Sequence, residues 1–317
     1  MKTSVVLCAF NGELFLKEQL YSIIKQTVLP DEIVIVNDCS IDNTDEIVKD
    51  FQDNCNIPFT YVVNSKNLGV LKSFSLGVDL AKNEIIIFSD QDDIWLSTRI
   101  ERTVKEFHID NSLDLFFSNG AIIDSNSNIL KGSLFKSFGF NFILRVLFKI
   151  SYPDYVLTKK FIVTGATMAV KASFAKRHYS NGVVYLHDMY LSSIAAHLRT
   201  IKFSCDKLIQ YRLHNQQSVG VISKKDSKKI YGQNLDVRKD YLAEISFLKT
   251  IQKILDLNYQ RNARFVQKKV IHRSKRISIR DKSVFKRFIL VQFEFLNLNY
   301  FLYSHGLKSY FRDLFLP

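Results

Sequence analysis

The chain has 317 residues, of which 47% are apolar and 24% charged, and this balance, together with few glycines (11) and prolines (4), excludes a disordered or fibrous protein. The formal net charge of +13 lies entirely in residues 221–317, which hold 21 basic and 8 acidic side chains, whereas residues 1–220 are neutral overall. This asymmetry predicts an added basic region with an anionic partner, either a nucleic acid or an anionic membrane surface.

The N-terminal sequence MKTSVVLCAFNGE has one lysine and a short apolar stretch, whereas a secretory signal needs a longer apolar core and a small-residue cleavage site. We therefore expect a cytoplasmic protein. The chain contains no uninterrupted run of about 18 apolar residues, which a membrane-spanning helix would need. The four cysteines form no CxxC pair and no zinc pattern with histidines, which predicts free thiols in a reducing compartment.

Strand-like and helix-like patterns alternate through residues 1–90. Four continuous apolar runs of strand length predict strands, at 3–8, 32–37, 59–63 and 84–89. The segments between them carry apolar residues at helical spacing. Because such runs indicate strands buried on both faces, this order predicts an α/β fold with a mostly parallel sheet and flanking helices. Ligands of such sheets bind beyond the carboxyl ends of the strands.

The pattern is less regular between residues 110 and 220. It predicts further strands at 114–119 and 161–170, a helix at 189–198, and a closing pair of strands over IKFSC and KLIQYRL. Residues 131–160 read as an amphipathic insertion, because 134–150 places phenylalanines at helical spacing beside three basic residues and no acidic one. We expect residues 1–220 to form one domain.

Residues 221–317 are predicted to form a basic, aromatic-rich helical region. The run 261–287 holds 11 basic residues and one acidic residue, and phenylalanine, leucine and tyrosine dominate the last turns of the chain. A basic helix with phenylalanine and leucine on its other side suits the interface of an anionic membrane, and 134–150 has the same character. The alternative is a solvated basic face that packs on its own domain.

The segment SDQDDIW directly follows the fourth predicted strand. It places Asp90, Asp92 and Asp93 within four residues, where they repel one another and resist desolvation. A divalent cation removes that conflict, and carboxylate oxygens suit Mg²⁺ or Mn²⁺. The alternative is a solvated acidic turn in which Asp93 caps the next helix.

Polar residues also follow the second and third predicted strands. Asp38 can accept hydrogen bonds from a nucleobase or a ribose, or it can cap the following helix, although Ser40 or Asp42 serves that need better. Lys66 and Asn67 stand in a turn where a lysine can meet a phosphate, and a plain connection between strand and helix is the alternative.

Two further polar residues lie at the ends of predicted helices or strands. Asp188 precedes a predicted helix, where it is either a general base or an N-cap. His214 follows the last strand of the neutral region, where it is either a ligand of a metal or diphosphate or an ordinary hydrogen-bonded histidine.

Taken in order, these segments resemble family 2 glycosyltransferases of the GT-A fold, especially the rhamnosyltransferase-like enzymes of bacterial O-antigen and capsule assembly. The resemblance covers about residues 3–220 and rests on SVVLCAFNGELFLKEQLYSI, EIVIVNDCSIDNT, NLGVLKSF, IIIFSDQDDIW, FIVTGATMAV, HDMYLS and YRLHNQQSVG. The acidic segment with its tryptophan is the most specific of these pieces.

The resemblance implies roles for single residues. Seven residues would line a nucleotide pocket: Ala9, Asn11, Glu13, Asp38, Lys66, Asn67 and Asp90. Asp38 would bind the nucleobase and Asp90 the ribose. Asp92 would hold Mn²⁺ or Mg²⁺, His214 would stand beside the metal or the diphosphate, and Asp188 would be the catalytic base. The acceptor side would be formed by Trp95, Gly165, Ala166, Thr167 and His187.

Two departures from the family pattern stand out. Asn37 occupies a position where relatives often carry a first acid, and Leu96-Ser97-Thr98 replaces a proline that often follows the tryptophan. Neither departure removes a residue to which chemistry is assigned.

The resemblance implies an inverting, metal-dependent glycosyltransferase. It would move a sugar from dTDP-rhamnose or a UDP-hexose to a hydroxyl of a glycan acceptor that is linked to a lipid diphosphate. The enzyme would act in surface polysaccharide synthesis at the inner face of the cell membrane. Three other classes of protein share some of these features. A nucleic-acid-binding protein would use the basic region, but this sequence contains no recognisable motif for binding DNA or RNA. A nucleotidyltransferase would carry basic residues where AFNGE has none, and a non-catalytic nucleotide-sugar binder would not need Asp92 and Asp188.

Overall fold

The structure is a computed structural model that describes residues 1–138, 140, 153, 156, 163–179, 187–215, 217, 242, 245–251, 253, 263–300, 304 and 307–315. The chain divides into two compact units. The first comprises Met1–Phe140, Val163–Ala195 and Thr200–Val221, and the second comprises Asn141–Ile162, Ala196–Arg199 and Ile222–Pro317. The predicted boundary at residue 220 and most of the predicted insertion at 131–160 lie outside the described residues.

Four parallel strands form one half of the sheet in the first unit. They are β1 (Thr3–Ala9), β2 (Glu32–Asn37), β3 (Phe59–Val63) and β4 (Ile85–Ser89), in the order β3-β2-β1-β4. The helices between them are α1 (Leu16–Ile24), α2 (Thr44–Asp53) and α3 (Val70–Leu80). β2 and β4 are buried along their whole length, as their unbroken apolar sequences predict, and the outer strand β3 is only half-buried.

The second half of the sheet is mixed. Its strands are β5 (Ile94–Trp95), β6 (Leu115–Ile123), β7 (Ile129–Leu130), β8 (Met168–Lys171) and β9 (Ile201–Arg212). The sheet continues from β4 in the order β8-β6-β9-β5, with β7 beside β6; β8 runs antiparallel to both of its neighbours. The helices are α4 (Arg99–Ile109), α5 (Leu134–Ser137), α6 (Ala172–Tyr179) and α7 (His187–Leu198). The predicted α/β class is confirmed.

The predicted closing pair of strands is wrong, because β9 is one continuous strand. It pairs with the whole length of the buried strand β6, but Ser118 faces Ser204 whereas Asn119 faces Lys207. β9 therefore has two extra residues before Lys207 and one more before Ile209, which faces Gly120, and these residues form a bulge. The polar sequence SCDK in this bulge has the composition of a turn, which is why the sequence predicts two strands.

The predicted strand at 161–170 starts later than expected. Gly165–Thr167 is a 3₁₀ turn, closed by the Thr167 N–H that donates to the Thr164 carbonyl oxygen at 2.9 Å, and β8 begins only at Met168. Residues 161 and 162 lie outside the described part of the chain.

The described helices of the second unit are α8 (Ala263–Arg280), α9 (Val284–Leu296) and α10 (Leu307–Phe315). They pack around Ile279, Val291 and Tyr300, and residues 245–251 are also helical. Within the described residues, no helix is both long and apolar enough to cross a membrane.

Charged side chains of α8 point into this second unit. Arg276 is fully buried and forms a two-armed ion pair with the equally buried Asp313, with Nη2 2.9 Å from Oδ1. His272 Nδ1 lies 2.8 Å from Oε2 of buried Glu294, and Arg273 donates to the Ser304 hydroxyl at 2.8 Å. Part of the positive charge of the basic run is therefore neutralised inside the protein rather than presented to solvent.

Asp313→Asn is expected to destabilise the second unit by about 3 kcal/mol or more, because it leaves the buried Arg276 guanidinium without its carboxylate. Chemical denaturation of the full chain measures the loss. Asp206→Asn is the matched control, since Asp206 forms an exposed ion pair with Arg102 and such pairs contribute less than about 1 kcal/mol. Equal losses for the two variants would contradict this expectation.

Candidate active site

The carboxyl ends of β1, β2 and β4 meet at one edge of the sheet, and the loops that follow them are bonded to each other. The Gln91 side chain accepts from the Phe10 N–H at 2.8 Å and donates to the Phe10 carbonyl at 3.0 Å. The Asp38 N–H donates to the Ala9 carbonyl at 2.8 Å. Because the strands are parallel, these polar loops lie side by side, as the strand order predicts.

Asn11 and Glu13 tie the loop after β1 to the loop after β2. The Asn11 side chain accepts from the Ile41 N–H at 3.0 Å, and Glu13 accepts from the side chain of Asn43 at 2.9 Å. Asn11 has a φ of 49°, a left-handed conformation that asparagine tolerates better than most residues. Three of the predicted nucleotide-pocket residues, Ala9, Asn11 and Glu13, therefore share this connected edge.

The Asp38 carboxylate is buried and fixes the turn after β3. It accepts from the backbone N–H groups of Leu68 and Gly69, each at 2.8 Å, and from the Asn64 side chain at 2.8 Å. Burial raises the pKa of Asp38, but these hydrogen bonds outweigh it and hold the pKa below its ordinary value. Asp38 is thus ionised at this edge of the sheet.

This arrangement also explains the placement of two weaker candidates. Lys66 and Asn67 are exposed on the turn that Asp38 holds. The interpretation of Asp38 as a helix cap is wrong, because α2 begins at Thr44 and the Thr44 N–H donates to Asp42 instead, at 3.1 Å.

The acidic segment after β4 brings three carboxylates together. One oxygen each of Asp90, Asp92 and Asp93 lies within 4.8 Å of the others. Burial raises the pKa of Asp90 to about 7, and the negative charges of Asp92 and Asp188 add to that increase. Burial and its acidic neighbours also raise the pKa of Asp93 well above the ordinary value.

This acidic cluster has the properties of a cation site. Asp93 Oδ2 is buried without a hydrogen-bond donor among the described residues, and the mutual repulsion of three partly desolvated carboxylates is unfavourable unless positive charge is added. The residues present therefore fit a hard divalent cation such as Mg²⁺ or Mn²⁺. The alternative in which Asp93 caps the next helix is wrong, because α4 begins at Arg99.

His214 stands directly beside Asp92. Its Nε2 lies 2.7 Å from Asp92 Oδ2, and its ring packs against Phe15 with centroids 4.8 Å apart. The two residues, separated by more than a hundred positions in sequence, are the pair predicted for the metal, and the structure brings them into contact.

Arg212 holds this arrangement together and has no role in the sequence-based prediction. Its backbone N–H donates to Asp93 Oδ1 at 3.0 Å, its Nε donates to the Asp92 carbonyl at 2.8 Å, and its Nη2 lies 2.5 Å from Glu18. The guanidinium is fully buried. The sequence offers one signal for this role: Arg212 ends a predicted strand two residues before His214. A strand of this kind is mostly buried, and a buried arginine requires carboxylate or carbonyl partners.

Arg99 is a second buried arginine beneath the acidic segment. It donates to the Phe88 carbonyl at 2.9 Å, and its guanidinium lies 3.8 Å from the centre of the Trp95 ring. Its positive charge opposes the rise in pKa of Asp90 and Asp93. Trp95, predicted for the acceptor side, is buried in the core, so its indole supports this segment from below.

The Asp188 carboxylate, at the start of α7, is held by two backbone N–H groups. Oδ2 accepts from Gly165 at 3.1 Å, and Oδ1 accepts from Met189 at 2.6 Å. Burial raises the pKa of Asp188 to about 6, although these hydrogen bonds lower it in part. The charge of Asp188 raises the pKa of Asp90, so the two carboxylates lie within electrostatic range of each other.

His187 lies under the Gly165 turn. Its ring packs at a tilt against Phe74 and Phe88, with centroids 4.5 and 5.0 Å away, and both ring nitrogens lack hydrogen-bond partners among the described residues. Burial lowers the pKa of His187 to about 3, so the imidazole is neutral. Ala166 and Thr167, also predicted for the acceptor side, are buried in the same turn.

Gly165→Ala is expected to displace the Gly165–Thr167 turn, because a Cβ at Gly165 would lie 2.7 Å from His187 Nε2. The aromatic rings around His187 leave the imidazole little room to move, so the turn must shift and with it the N–H that holds Asp188. A crystal structure of the variant tests this expectation. A turn in its wild-type position, with the N–H of position 165 still bonded to Asp188, would contradict it.

Several of the predicted site residues therefore lie at one edge of the sheet, whereas Trp95, Ala166, Thr167 and His187 are buried beneath it. Asp38 donates its N–H to the Ala9 carbonyl, and Asp90 follows Ser89, which pairs with Leu7, so both acids lie around the end of β1. Asp92 contacts His214, and Asp188 acts on Asp90. A cluster of carboxylates, one histidine and exposed backbone turns is suited to binding a cation together with a phosphorylated ligand.

The chain is similar in sequence and in fold to known proteins. The dTDP-rhamnosyl transferase RfbG of Shigella flexneri is 29% identical over 227 residues, which are 68% of this chain and 73% of the relative. The structure of S. aureus TarS residues 1–349 in complex with UDP-GlcNAc has a TM-score of 0.55 and 16% identity, and the match covers 99% of this chain and 90% of that TarS fragment.

A second structure has a similar fold. Mannosyltransferase PcManGT from Pyrobaculum calidifontis, in complex with GDP-Man and Mn²⁺, has a TM-score of 0.52 and 13% identity, covering 99% of this chain and 87% of that protein. The fold is thus the GT-A fold that the sequence resemblance implied. The family model for glycosyl transferase family 2 matches residues 4–177, more than half of the chain, and the chain belongs to that family of glycosyltransferases.

Proposed function

We propose that the enzyme transfers a sugar from a nucleoside-diphosphate donor, dTDP-rhamnose or a UDP-hexose, to a hydroxyl of a glycan acceptor, with inversion at the anomeric carbon. The observation that carries the proposal is the Asp188 carboxylate, which two backbone N–H groups hold within electrostatic reach of the acidic segment. The choice of donors is supported by the relative named a dTDP-rhamnosyl transferase and by the UDP-GlcNAc bound to TarS.

The edge formed by the β1, β2 and β4 loops binds the nucleotide in this proposal. Asp38 is assigned to the nucleobase, with Ala9, Asn11 and Glu13 around it at the same edge. The exposed Lys66 and Asn67 stand on the turn that Asp38 fixes. Asp90 is assigned to the ribose.

Asp92 and His214 are the residues that would hold Mn²⁺ or Mg²⁺. A bound divalent cation supplies positive charge that stabilises the nucleoside diphosphate as it leaves. The assignment is supported by the packing of three acids in one segment and by the Mn²⁺ present in the PcManGT complex. Arg212 keeps Asp92 and Asp93 in place through its backbone N–H and its guanidinium.

Asp188 accepts the proton from the acceptor hydroxyl as that oxygen attacks the anomeric carbon. The raised pKa of about 6 makes it a stronger base than an ordinary aspartate while it stays ionised at pH 7. A single in-line displacement with one base inverts the anomeric centre. The acceptor approaches from the side of the Gly165–Thr167 turn in this proposal, with His187 and Trp95 supporting that side from the core.

The acceptor class is proposed to be a glycan on a lipid diphosphate in surface polysaccharide synthesis. This would place the enzyme in the cytoplasm, at the inner face of the membrane. The positive charge concentrated in residues 221–317 supports attraction to an anionic membrane surface.

The rate of transfer is expected to rise with pH through an apparent pKa near 6 and to level off above pH 7. Below pH 6 the Asp188 carboxyl is protonated and cannot accept a proton, so the rate falls about tenfold for each pH unit. The titratable groups around Asp188 are Asp90, Tyr179 and His187, and His187 is neutral in this range. A rate that does not change between pH 5 and pH 8 would contradict the assignment of Asp188.

Thermal stabilisation by donor candidates tests the proposed function directly. UDP-sugars and dTDP-sugars are compared, each with and without Mn²⁺, and a donor at about a hundred times its dissociation constant should stabilise the protein by about 2.7 kcal/mol. Release of UDP or dTDP on addition of a glycan acceptor then identifies transfer. Absence of stabilisation by every nucleotide sugar would overturn the proposal.

A further inference from the structure

Helix α9 (Val284–Leu296) is apolar on two opposite sides. One side is buried through Val291, which packs with Ile279 and Tyr300 of the same unit. The opposite side is exposed, and we call it the α9 face; its members are Phe285, Phe288, Ile289, Phe293 and Leu296. A helix that is apolar all round normally has both sides covered, so the α9 face calls for a partner.

The size of the α9 face exceeds what scattered surface residues give. Phe285 is 75% exposed and Leu296 is 77% exposed, at opposite ends of the helix. The five side chains follow the spacing i, i+3, i+4, i+8 and i+11, which places them on one side of the helix. Together they expose an apolar area on the order of 500 Å², which is the size of the largest apolar patch on a typical monomer, and such patches are often functional.

The charges near the α9 face suit an anionic surface. Lys282 and Lys286 are exposed at the start of the helix. The acidic residue within α9, Glu294, is buried and paired with His272 and Lys275, so it does not face outward. Asp281 is the exposed acid nearest the helix. Exposed lysines beside large apolar side chains are the composition of helices that lie in the interface of anionic membranes.

The basic run of α8 is less suited to this task than its sequence indicates. Arg273 and Arg276 are buried, and they bond to Ser304 and Asp313 inside the unit. The α9 face is therefore better suited to an anionic surface than the helix with the most positive charge.

We propose that the α9 face inserts into the interface of an anionic lipid bilayer, with its phenylalanine, isoleucine and leucine side chains at the acyl boundary and Lys282 and Lys286 at the lipid phosphates. Thirteen residues are fewer than the about 20 that a spanning helix needs, so α9 lies in the plane of the interface. The inference deepens the proposed function and rests on it for a lipid-linked acceptor, but the binding itself is independent of the acceptor.

Cosedimentation of the full chain with vesicles tests this proposal. The vesicles are phosphatidylcholine with about one-third phosphatidylglycerol, and pure phosphatidylcholine vesicles are the comparison. The wild type should bind the anionic vesicles, and the double variant Phe285→Asp and Leu296→Asp should bind them at least tenfold more weakly. The matched control makes the same change at two exposed apolar positions of the first unit, Leu29 and Ile109, and should bind as the wild type does.

Two further measurements make each outcome decisive. Thermal stabilisation by the donor, measured on the same preparations, shows whether the proposed enzyme function stands when vesicle binding fails. Size-exclusion chromatography tests for a second copy of the chain as the occupant of the α9 face. Vesicle binding that survives the double variant, or an oligomer that the double variant dissociates in a protein that ignores vesicles, would overturn the proposal.

Discussion

Replacing Asp188 with asparagine is expected to lower the rate of sugar transfer by at least about a hundredfold while leaving donor binding unchanged. Asparagine has nearly the same shape, and its oxygen can still accept one of the two N–H groups that now hold the carboxylate, from Gly165 and from Met189. It cannot accept a proton from the acceptor hydroxyl. The reaction would then rely on water as the base.

The measurement compares initial rates of nucleoside diphosphate release in the presence of acceptor, at saturating donor. Thermal stabilisation by the donor is the internal control, because the nucleotide edge lies on the loops after β1, β2 and β4 rather than on α7. Transfer by the variant at more than about one part in a hundred of the wild-type rate would rule out Asp188 as the base.

Asp92→Asn is expected to lower kcat/KM by roughly a thousandfold and to abolish the dependence of donor binding on Mn²⁺. The amide keeps the size of the carboxylate and can still bond to His214, now 2.7 Å away, so the fold should be retained. The lost negative charge removes the ligand that a hard cation prefers, and the diphosphate then leaves without that stabilisation.

The matched control for this variant is Asp110→Asn, which makes the same chemical change at an exposed carboxylate that bonds only locally to Ser112. Isothermal titration with the donor, with and without Mn²⁺, separates metal binding from nucleotide binding. An Asp92→Asn protein that still binds the donor more tightly with Mn²⁺ than without it would place the metal elsewhere.

The first half of the fold is readable from the sequence because its strands are buried on both faces. The apolar runs that became β1, β2 and β4 have no polar alternation, and burial in a parallel sheet is the arrangement that such runs favour. The polar loops after them then had to share one edge. This is why the sequence alone predicts that Asp38 and Asp90, far apart along the chain, lie at the same edge of the sheet.

The second half is less readable because its elements are determined by partners distant in sequence. β9 continues through SCDK only because β6 offers a full-length neighbour, and a bulge absorbs the mismatch. The 3₁₀ turn at Gly165–Thr167 replaces predicted strand because the Gly165 N–H bonds to Asp188, more than twenty residues later. Local propensity carries no information about either contact.

Within the site, residue type indicated the acids but not what holds them. Arg212 and Arg99 gave no periodic signal, yet their burial is what allows three carboxylates to stand in one segment. The sequence also does not show that Asp38 fixes a turn at this edge, because the N–H groups that it accepts belong to a turn about thirty residues away. Such partners can be assigned only after the chain is folded.

The central claim is that Asp38, Asp90, Asp92, Asp188 and His214 surround one cation-bound diphosphate. Anomalous diffraction from crystals grown with Mn²⁺ and either UDP or dTDP measures this directly. The account predicts a manganese peak about 2.1 Å from an Asp92 carboxylate oxygen, with the diphosphate bound to the metal and the base beside Asp38. A manganese peak away from Asp92, or a nucleotide bound on another face of the sheet, would contradict it.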